Sequence, residues 1–346
     1  MTQSTGGGRS RTRRVTLADV ARKAGVDKAV VSRVVNADPL LNIRPETRAR
    51  VNAALKELDY RPNVAARSLR TAKAGTVGLF IPDFANPVYA EIITGAETAA
   101  AGLGCALMVG SSTAGRGAQS YLDLLGQGRV DGLLLAGGTI TAEEQATLAD
   151  RGLPWLFVNR RGPGGSGRHV ILDDVLGARV AVDHLLDLGH RRIAHVGGPP
   201  GADTAHRRHD GYATALRSVG LEEDPRLVVQ GVYGPDGGVQ AVQRLLDDPE
   251  PPTAMFVANV ASAIGVLSAL RARGVSVPEE MSVVAVHDLP LAEHLIPPLT
   301  TVRMPLRALG ARATKLLLSV PADHPVEEVV REPIELVVRQ STARPG

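Results

Sequence analysis

From Thr76 onwards the chain alternates short apolar runs with helical segments, and this alternation constrains the fold more than any other feature. Segments rich in Ala, Leu and charged residues separate the runs. A strand–helix–strand repeat predicts parallel sheets with right-handed crossovers. A body of about 270 residues divides more naturally into two lobes than into one. The predicted strands are VGLFI (77–81), CALMV (105–109), VDGLLLA (130–136), WLFV (155–158), RIAHVG (192–197), TAMFVA (253–258) and SVVAV (282–286).

The first 73 residues differ from the rest in charge. They hold 16 Lys and Arg against 6 Asp and Glu, a net charge of +10, whereas the remainder holds 23 basic and 30 acidic residues, a net charge of −7. A basic head on a mildly acidic body indicates that only the head meets a polyanion. Residues 1–14 are rich in Gly and Arg, and we expect a disordered basic tail there. Because the sequence has no secretory h-region and no run long enough to span a bilayer, it predicts a cytoplasmic, nucleoid-associated protein with no membrane partner.

Residues 15–60 carry the pattern of a helix-turn-helix DNA-binding domain. Thr16 can cap a first helix, and Gly25 can end it. Asp27 can cap a second helix over roughly 28–36, and a third helix follows. Two short helices joined by a tight turn suit a protein that lays its second helix in the major groove of DNA.

The second helix is predicted to have two distinct faces. Val31, Val34 and Val35 point inward, and the polar side chains share the opposite face by helical spacing. Lys and Arg there can donate to guanine, whereas Ala offers only a methyl contact, for example to thymine. With Thr16 at the start of the first helix, the predicted DNA contacts of the head are Thr16, Lys28, Ala29, Ser32, Arg33 and Asn36.

Residues 61–73 are predicted to form a hinge helix and linker. Asn63 can cap a helix that is too short to be stable alone, so the helix should order only against a partner. Leu69 is its apolar tip, and Arg67 and Arg70 can contact phosphate. The predicted DNA contacts of the hinge are Asn63, Ala66, Arg67, Leu69 and Arg70.

The runs VTLADVARKAGVDKAVVSRVVN (15–36) and RPNVAARSLR (61–70) resemble the head and hinge of the lactose-repressor (LacI/GalR) family. The resemblance implies a homodimer, or a higher oligomer, on a palindromic double-stranded DNA operator. It also implies that paired hinge helices enter the minor groove, where a leucine matching Leu69 wedges into a base step. The residues that it assigns to the choice of operator bases are Lys28, Ala29 and Arg33.

The body resembles the same family at LGHRRIAHVGG (188–198) and PPLTTVRMP (297–305). The resemblance implies a small all-α helix-turn-helix head plus a hinge helix, followed by a two-lobed α/β body of the periplasmic-binding-protein type at 74–346. Three crossovers would join the lobes around a hinged cleft. The implied lobes are roughly 74–172 with 303–332, and 173–302 with 333–342.

The candidate effector site lies at the strand ends, because ligands of open α/β sheets bind beyond the carboxyl ends of the strands. The resemblance assigns ligand-holding charges to Arg208 and Asp288, which could instead form a salt bridge across the mouth of the cleft. Tyr89 and Tyr233 can stack on a sugar face or a planar ring. The complete predicted set is Tyr89, Asn159, Arg160, Arg208, Tyr233, Asn259 and Asp288.

Two departures from the family pattern affect the effector. Val260 stands where sugar-binding members usually carry Asp, and Val88 stands where an aromatic residue is common. The expected effector is therefore a sugar or a related metabolite. The alternative is a DNA-binding regulator whose cleft is vestigial or takes a nucleoside or purine.

Several other functions are disfavoured by the sequence. It contains no phosphate-binding P-loop and no complete nucleophile elbow, and its histidines lack the spacing of a metal site. A solute-binding protein would explain the body but neither the basic head nor the missing signal peptide. We therefore expect no catalytic residue, no cofactor and no metal, and we predict an effector-controlled transcriptional repressor rather than an enzyme.

Overall fold

The structure is a computed structural model that describes residues 15–36, 38, 40–60, 73–111, 118–137, 141–162 and 167–346. The chain divides into two compact units, Met1–Lys73 and Ala74–Gly346.

The described part of the first unit is a three-helix domain. Its helices are α1 (Leu17–Ala24), α2 (Lys28–Val35) and α3 (Pro45–Glu57). They enclose a small core of short apolar side chains, which suits a domain of this size. The buried members of that core are Val20, Ala21, Ala24, Val31, Val51 and Ala54.

The first sheet of the second unit has the strand order β11-β5-β4-β3-β1-β2, and all its pairings are parallel. Helices α4 (Val88–Gly102), α5 (Ala118–Gly126), α6 (Ala142–Asp150) and α11 (Leu306–Ser319) accompany it. We call this layer lobe one. Its strands are β1 (Thr76–Ile81), β2 (Ala106–Ser111), β3 (Gly132–Leu135), β4 (Trp155–Val158), β5 (Arg168–Leu172) and β11 (Val326–Val330).

The second sheet, lobe two, has the order β12-β10-β9-β8-β6-β7, with one antiparallel pairing between β10 and β12. Its helices are α7 (Asp174–Asp187), α8 (Asp203–Ser218), α9 (Pro235–Leu246) and α10 (Val260–Ala272). Two short 3-10 turns cover Pro225–Leu227 and Pro290–His294. Its strands are β6 (Ile193–Val196), β7 (Val228–Val229), β8 (Ala254–Val257), β9 (Ser282–Val286), β10 (Thr300–Arg303) and β12 (Glu335–Val337).

The chain passes between the two sheets three times, after β5, after β10 and after β11. The predicted two-lobed parallel α/β fold is thereby confirmed. Two predicted strands, 155–158 and 282–286, have the observed bounds.

Five observed strands lie outside the seven predicted apolar runs, and each is very short or contains polar residues. β5 begins with the polar pair Arg168 and His169, β10 begins with two threonines, and β11 contains two glutamates. β7 and β12 are only two and three residues long. Tertiary pairing rather than local composition makes these segments strands.

Candidate functional site

The first helix of the head is fixed at both ends by its sequence. Thr16 accepts a hydrogen bond from the backbone N–H of Asp19, and the Asp19 carboxylate accepts one from the backbone of Thr16, which completes a capping box. Gly25 ends the helix in the left-handed region, with φ of +64°. Both predicted caps are confirmed, and they fix the tight turn into α2.

Helix α2 buries one face and exposes the other. Asp27 caps it by accepting from the backbone N–H of Ala29 at 2.6 Å. Val31 is fully buried, whereas Lys28, Ala29 and Arg33 are exposed. The predicted reading face therefore lies on the solvent side of a helix anchored in the core.

Two side chains on that face make local contacts that the sequence did not reveal. Arg33 Nε donates to Asp38 Oδ2 at 2.7 Å, and this bond lowers the pKa of Asp38. Asn36 Nδ2 donates to the backbone oxygen of Ser32, one helical turn back. Lys28 is therefore the clearest candidate for a contact with a DNA base. Arg33 would first have to release Asp38.

The hinge predictions lie outside the described residues. They concern the segment 61–72, which holds Asn63, Ala66, Arg67, Leu69 and Arg70.

In the second unit, four predicted effector residues come together from both lobes. Tyr89 and Arg160 belong to lobe one, and Arg208 and Tyr233 belong to lobe two. They are close enough for charge to act between them: burial raises the pKa of Tyr89, Tyr233 raises it further, and the two guanidinium groups lower it. The Tyr233 hydroxyl lies 3.1 Å from Thr204 Oγ1. These residues define the candidate effector cleft.

The ring of Tyr233 occupies space that only glycine leaves open. An ideal Cβ at Gly198 would lie 2.2 Å from the ring of Tyr233. The predicted site residue Arg160 is also placed by a ring, because its guanidinium carbon lies 5.7 Å from the centroid of Phe157.

Arg208 is buried at the base of this cleft and its charge is paired. Its Nε donates to Asp174 Oδ1 at 2.7 Å, and its Nη1 donates to the backbone oxygen of Ala258 at 2.8 Å. Asp174 also pairs with Arg207, whose Nη1 donates to the backbone oxygen of Leu172 at 2.7 Å. One buried carboxylate therefore holds two neighbouring guanidinium groups.

Arg207 and Arg161 make hydrogen bonds that join the two lobes. Arg207 Nη2 donates to the backbone oxygen of Asn159 at 3.3 Å, and Arg207 Nε donates to Asp203 at 3.0 Å. Arg161 of lobe one donates to Asp203 of lobe two through its backbone N–H and its Nε. These hydrogen bonds cross between the lobes next to the cleft.

His287 belongs to the cleft and was missed by the sequence analysis. Its Nε2 lies 3.3 Å from Arg208 Nη2. Arginine has no acceptor, so Nε2 accepts and Nδ1 carries the proton. Nδ1 is buried and has no hydrogen-bond partner among the described residues. Burial, reinforced by Arg208, lowers the pKa of His287.

Two residues with positive φ stand at strand ends on the two sides of the cleft. Asn159 follows β4 with φ of +63°, and His287 follows β9 with φ of +79°. Asn159 Oδ1 is buried, and within the described part of the chain it has no hydrogen-bond partner. Backbone strain of this kind is concentrated at functional sites. Both side chains also carry a buried polar atom that a ligand can satisfy.

The structure pairs Asp288 with residues other than Arg208, so the predicted salt bridge between the two is wrong, whereas the predicted ligand contact of Asp288 stays a prediction. Asp288 Oδ1 accepts from Thr301 and Arg339, and Oδ2 accepts from Arg303. The carboxylate is 8% exposed and holds β10 and the C-terminal segment. His287 follows β9 in the left-handed region and lies beside Arg208, whereas the next residue, Asp288, directs its carboxylate to β10 and Arg339.

Asn259 has a local structural contact. Its Oδ1 accepts from the backbone N–H of Ser262 at 2.7 Å and caps α10. The side chain next to it, Val260, is fully buried. A ligand that binds Asn259 Oδ1 would therefore compete with the backbone N–H of Ser262 for the same oxygen.

Two further findings concern the described residues as a whole. None of their helices is both long enough and apolar enough to cross a membrane. None of their His, Cys, Asp and Glu side chains form a group of three or more that could hold a metal ion.

The chain matches two family models and is similar in sequence to a catabolite control protein. Residues 16–63 match the model of bacterial regulatory proteins, lacI family, and residues 182–342 match a periplasmic binding protein-like domain. Catabolite control protein A of Priestia megaterium is 35% identical over 332 residues, which cover 95% of this chain and 99% of that protein.

Solved structures extend the similarity to three dimensions. The lac repressor dimer bound to operator and the anti-inducer ONPF aligns with a TM-score of 0.81 at 28% identity, covering 96% of this chain and 100% of that chain. A complex of the transcriptional regulator CelR with cellobiose aligns with a TM-score of 0.70 at 33% identity, covering 95% of this chain and 100% of that chain.

Proposed function

The chain belongs to the LacI family of bacterial regulatory proteins, and we propose that it represses transcription by binding a specific DNA operator under the control of a small effector. The observation that carries the proposal is the exposed face of α2, with Lys28 and Ala29 held outward by the buried Val31. A helix anchored in this way can present its N-terminal side chains to base edges in the major groove.

Effector control is assigned to the cleft between the lobes. A ligand that contacts Tyr89 and Arg160 on one side and Arg208 and Tyr233 on the other favours one degree of closure. The bonds of Arg161 to Asp203 would strengthen or break with that closure. A coupling of about 1–3 kcal/mol between cleft and operator is typical of such devices. A sugar effector is supported by the cellobiose complex of CelR, and a nucleoside or purine, or a vestigial cleft, is the alternative.

We also propose that the protein is not an enzyme, uses no cofactor and acts in the cytoplasm at the nucleoid. The support is its family, since the similar proteins are regulators by name. Turnover of a cleft ligand by the purified protein would contradict this part of the proposal.

The base-reading role is tested by Lys28→Ala. Selection from randomised duplex DNA with the full chain should enrich an inverted repeat. The variant should relax the preference at one base pair of each half-site, because a good side-chain–base contact is worth about 1–3 kcal/mol. Lys56→Ala, which removes the same charge from an exposed position at the end of α3, is the matched control and should leave the selected sequence unchanged. A uniform loss of affinity at all sequences for Lys28→Ala would mean that Lys28 contacts only phosphate.

The proposed homodimer has a candidate surface on lobe one. β2 is an edge strand of its sheet, Met108 on that strand is 42% exposed, and Leu103, shortly before the strand, is 52% exposed. An exposed apolar edge strand favours pairing with another chain. A two-fold dimer would present two identical heads to a palindromic operator.

Met108→Lys is expected to shift sedimentation of the full chain from dimer towards monomer, because a charge would be buried in the interface. The matched control is Val329→Lys, on the opposite edge strand β11, where the side chain is 40% exposed. Equal dissociation by both variants, or by neither, would remove the β2 edge as the dimer surface.

A further inference from the structure

The charges at the lobe junction do not balance. Arg161, Arg207 and Arg208 contact the carboxylates of Asp174 and Asp203. Each carboxylate is shared between two guanidinium groups, so three positive charges meet two negative ones. Arg207, Arg208 and Asp174 are buried, where an excess charge is poorly screened.

The groups nearest to Arg208 add hydrogen-bond donors and no negative charge. The phenols of Tyr89 from lobe one and Tyr233 from lobe two lie near Arg208, and the guanidinium of Arg160 lies near Tyr89. The Tyr89 phenol, like that of an ordinary tyrosine, is neutral at pH 7, so its hydroxyl can donate as well as accept.

His287 adds a further hydrogen-bond donor to the cleft. Its Nε2 already accepts from Arg208, so its Nδ1 can only donate, and Nδ1 lacks a partner within the described residues. A buried donor without a partner is destabilising by about 1–3 kcal/mol unless a ligand or water satisfies it. The cleft therefore combines positive charge with unsatisfied donor capacity.

From these contacts we infer that the effector is a small metabolite with an acid group, a carboxylate or a phosphate, that lies near Arg208, Arg160 and His287. Its neutral part packs against Tyr89 and Tyr233, and one hydroxyl or amino group donates to Asn159 Oδ1. The inference rests on the proposed function, because it names the class of ligand for the same cleft. A neutral sugar would leave the excess positive charge without a partner.

Matched pairs of ligands test the inference on the full chain without DNA. The pairs are gluconate and glucose, glucose 6-phosphate and glucose, ribose 5-phosphate and ribose, and AMP and adenosine, with inorganic phosphate alone as the bare anion. All are measured at one ionic strength and at pH 7. At least one acid should raise the Tm by about 2 °C or more, and its neutral partner should not.

Each other outcome overturns the inference. A neutral member that raises the Tm as much as its acid shows that charge is not recognised. A Tm rise with inorganic phosphate equal to that with the acid shows a bare anion site. If no acid in the panel raises the Tm, the inference that the effector is such an acid is wrong. The carboxylate and phosphate pairs distinguish the two acid groups.

The variant His287→Asp then places a carboxylate beside Arg208 and still offers a hydrogen-bond acceptor to its guanidinium group. Affinity for the acid that binds the wild type should fall at least about tenfold, because like charges in contact cost more than 1.4 kcal/mol. His294→Asp makes the same change at a side chain that is 77% exposed and should bind normally. Unchanged affinity in His287→Asp would contradict the placement.

A second variant and a parallel measurement of DNA binding distinguish failure of the inference from failure of the proposed function. If His287→Asp does not fold, Arg160→Gln takes its place and should also lose at least about tenfold in affinity for the acid. Binding of the protein to its selected DNA is measured in parallel, with and without the ligand. Absence of DNA binding in both states refutes the proposed function, whereas DNA binding together with a preference for neutral ligands refutes only the inference.

Discussion

Replacing Asp174 with alanine is expected to lower the free energy of unfolding by about 3–5 kcal/mol. The Asp174 carboxylate is fully buried and contacts Arg207 and Arg208, whose side chains are 6% and 2% exposed. Its removal leaves the buried Arg208 without its carboxylate partner, and leaves Arg207 with Asp203 alone. Urea unfolding followed by circular dichroism measures the change.

Asp183→Ala, on the same helix, is the matched control for Asp174→Ala. Its partner Arg179 is 3.9 Å away, and both side chains are more than 40% exposed. An exposed pair of this kind contributes about 0–1 kcal/mol. Equal losses for the two variants would show that burial does not determine the strength of the Asp174 contacts.

Gly310→Ala is expected to destabilise lobe one by about 1–3 kcal/mol or more. Helices α4 and α11 pack with their backbones in contact: an ideal Cβ at Gly310 would lie 2.0 Å from the carbonyl oxygen of Ile92. The reciprocal Cβ at Gly95 would lie 1.9 Å from the carbonyl oxygen of Arg307. Backbone atoms cannot rotate away as a side chain can, so the helices must separate.

Gly102→Ala, in contrast to Gly310→Ala, is expected to raise the free energy of unfolding. Gly102 is the last residue of α4, and a Cβ there meets nothing within 4 Å. Alanine is favoured over glycine in a helix by up to about 1 kcal/mol. Urea unfolding of both variants therefore separates helix propensity from helix packing. Stabilisation by Gly310→Ala would contradict the close contact of α4 and α11.

The features that could be predicted from the sequence are those fixed by local chemistry. Thr16, Gly25 and Asp27 cap helices through contacts within four residues, so their types and spacing were enough to place α1 and α2. The alternation of apolar runs was enough to predict two parallel sheets. Strands such as β5, which begins with Arg168 and His169, depend on their neighbours and were missed.

The cleft was only partly predictable, because its contacts join distant parts of the chain. Asp174 lies 34 residues before Arg208, and no local pattern links them. The choice between His287 and Asp288 depends on which way each residue points after β9, and composition does not determine that register. The resemblance favoured the carboxylate, whereas the structure places the imidazole beside Arg208.

The central claim is that the head reads a specific DNA sequence. The most direct test is the affinity of the full chain for its selected inverted repeat and for a shuffled duplex of the same composition, at one stated salt concentration. The selected duplex is predicted to bind at least about 10³-fold more tightly. Equal affinity for the two duplexes would contradict the claim, because the basic head would then be binding phosphate without reading bases.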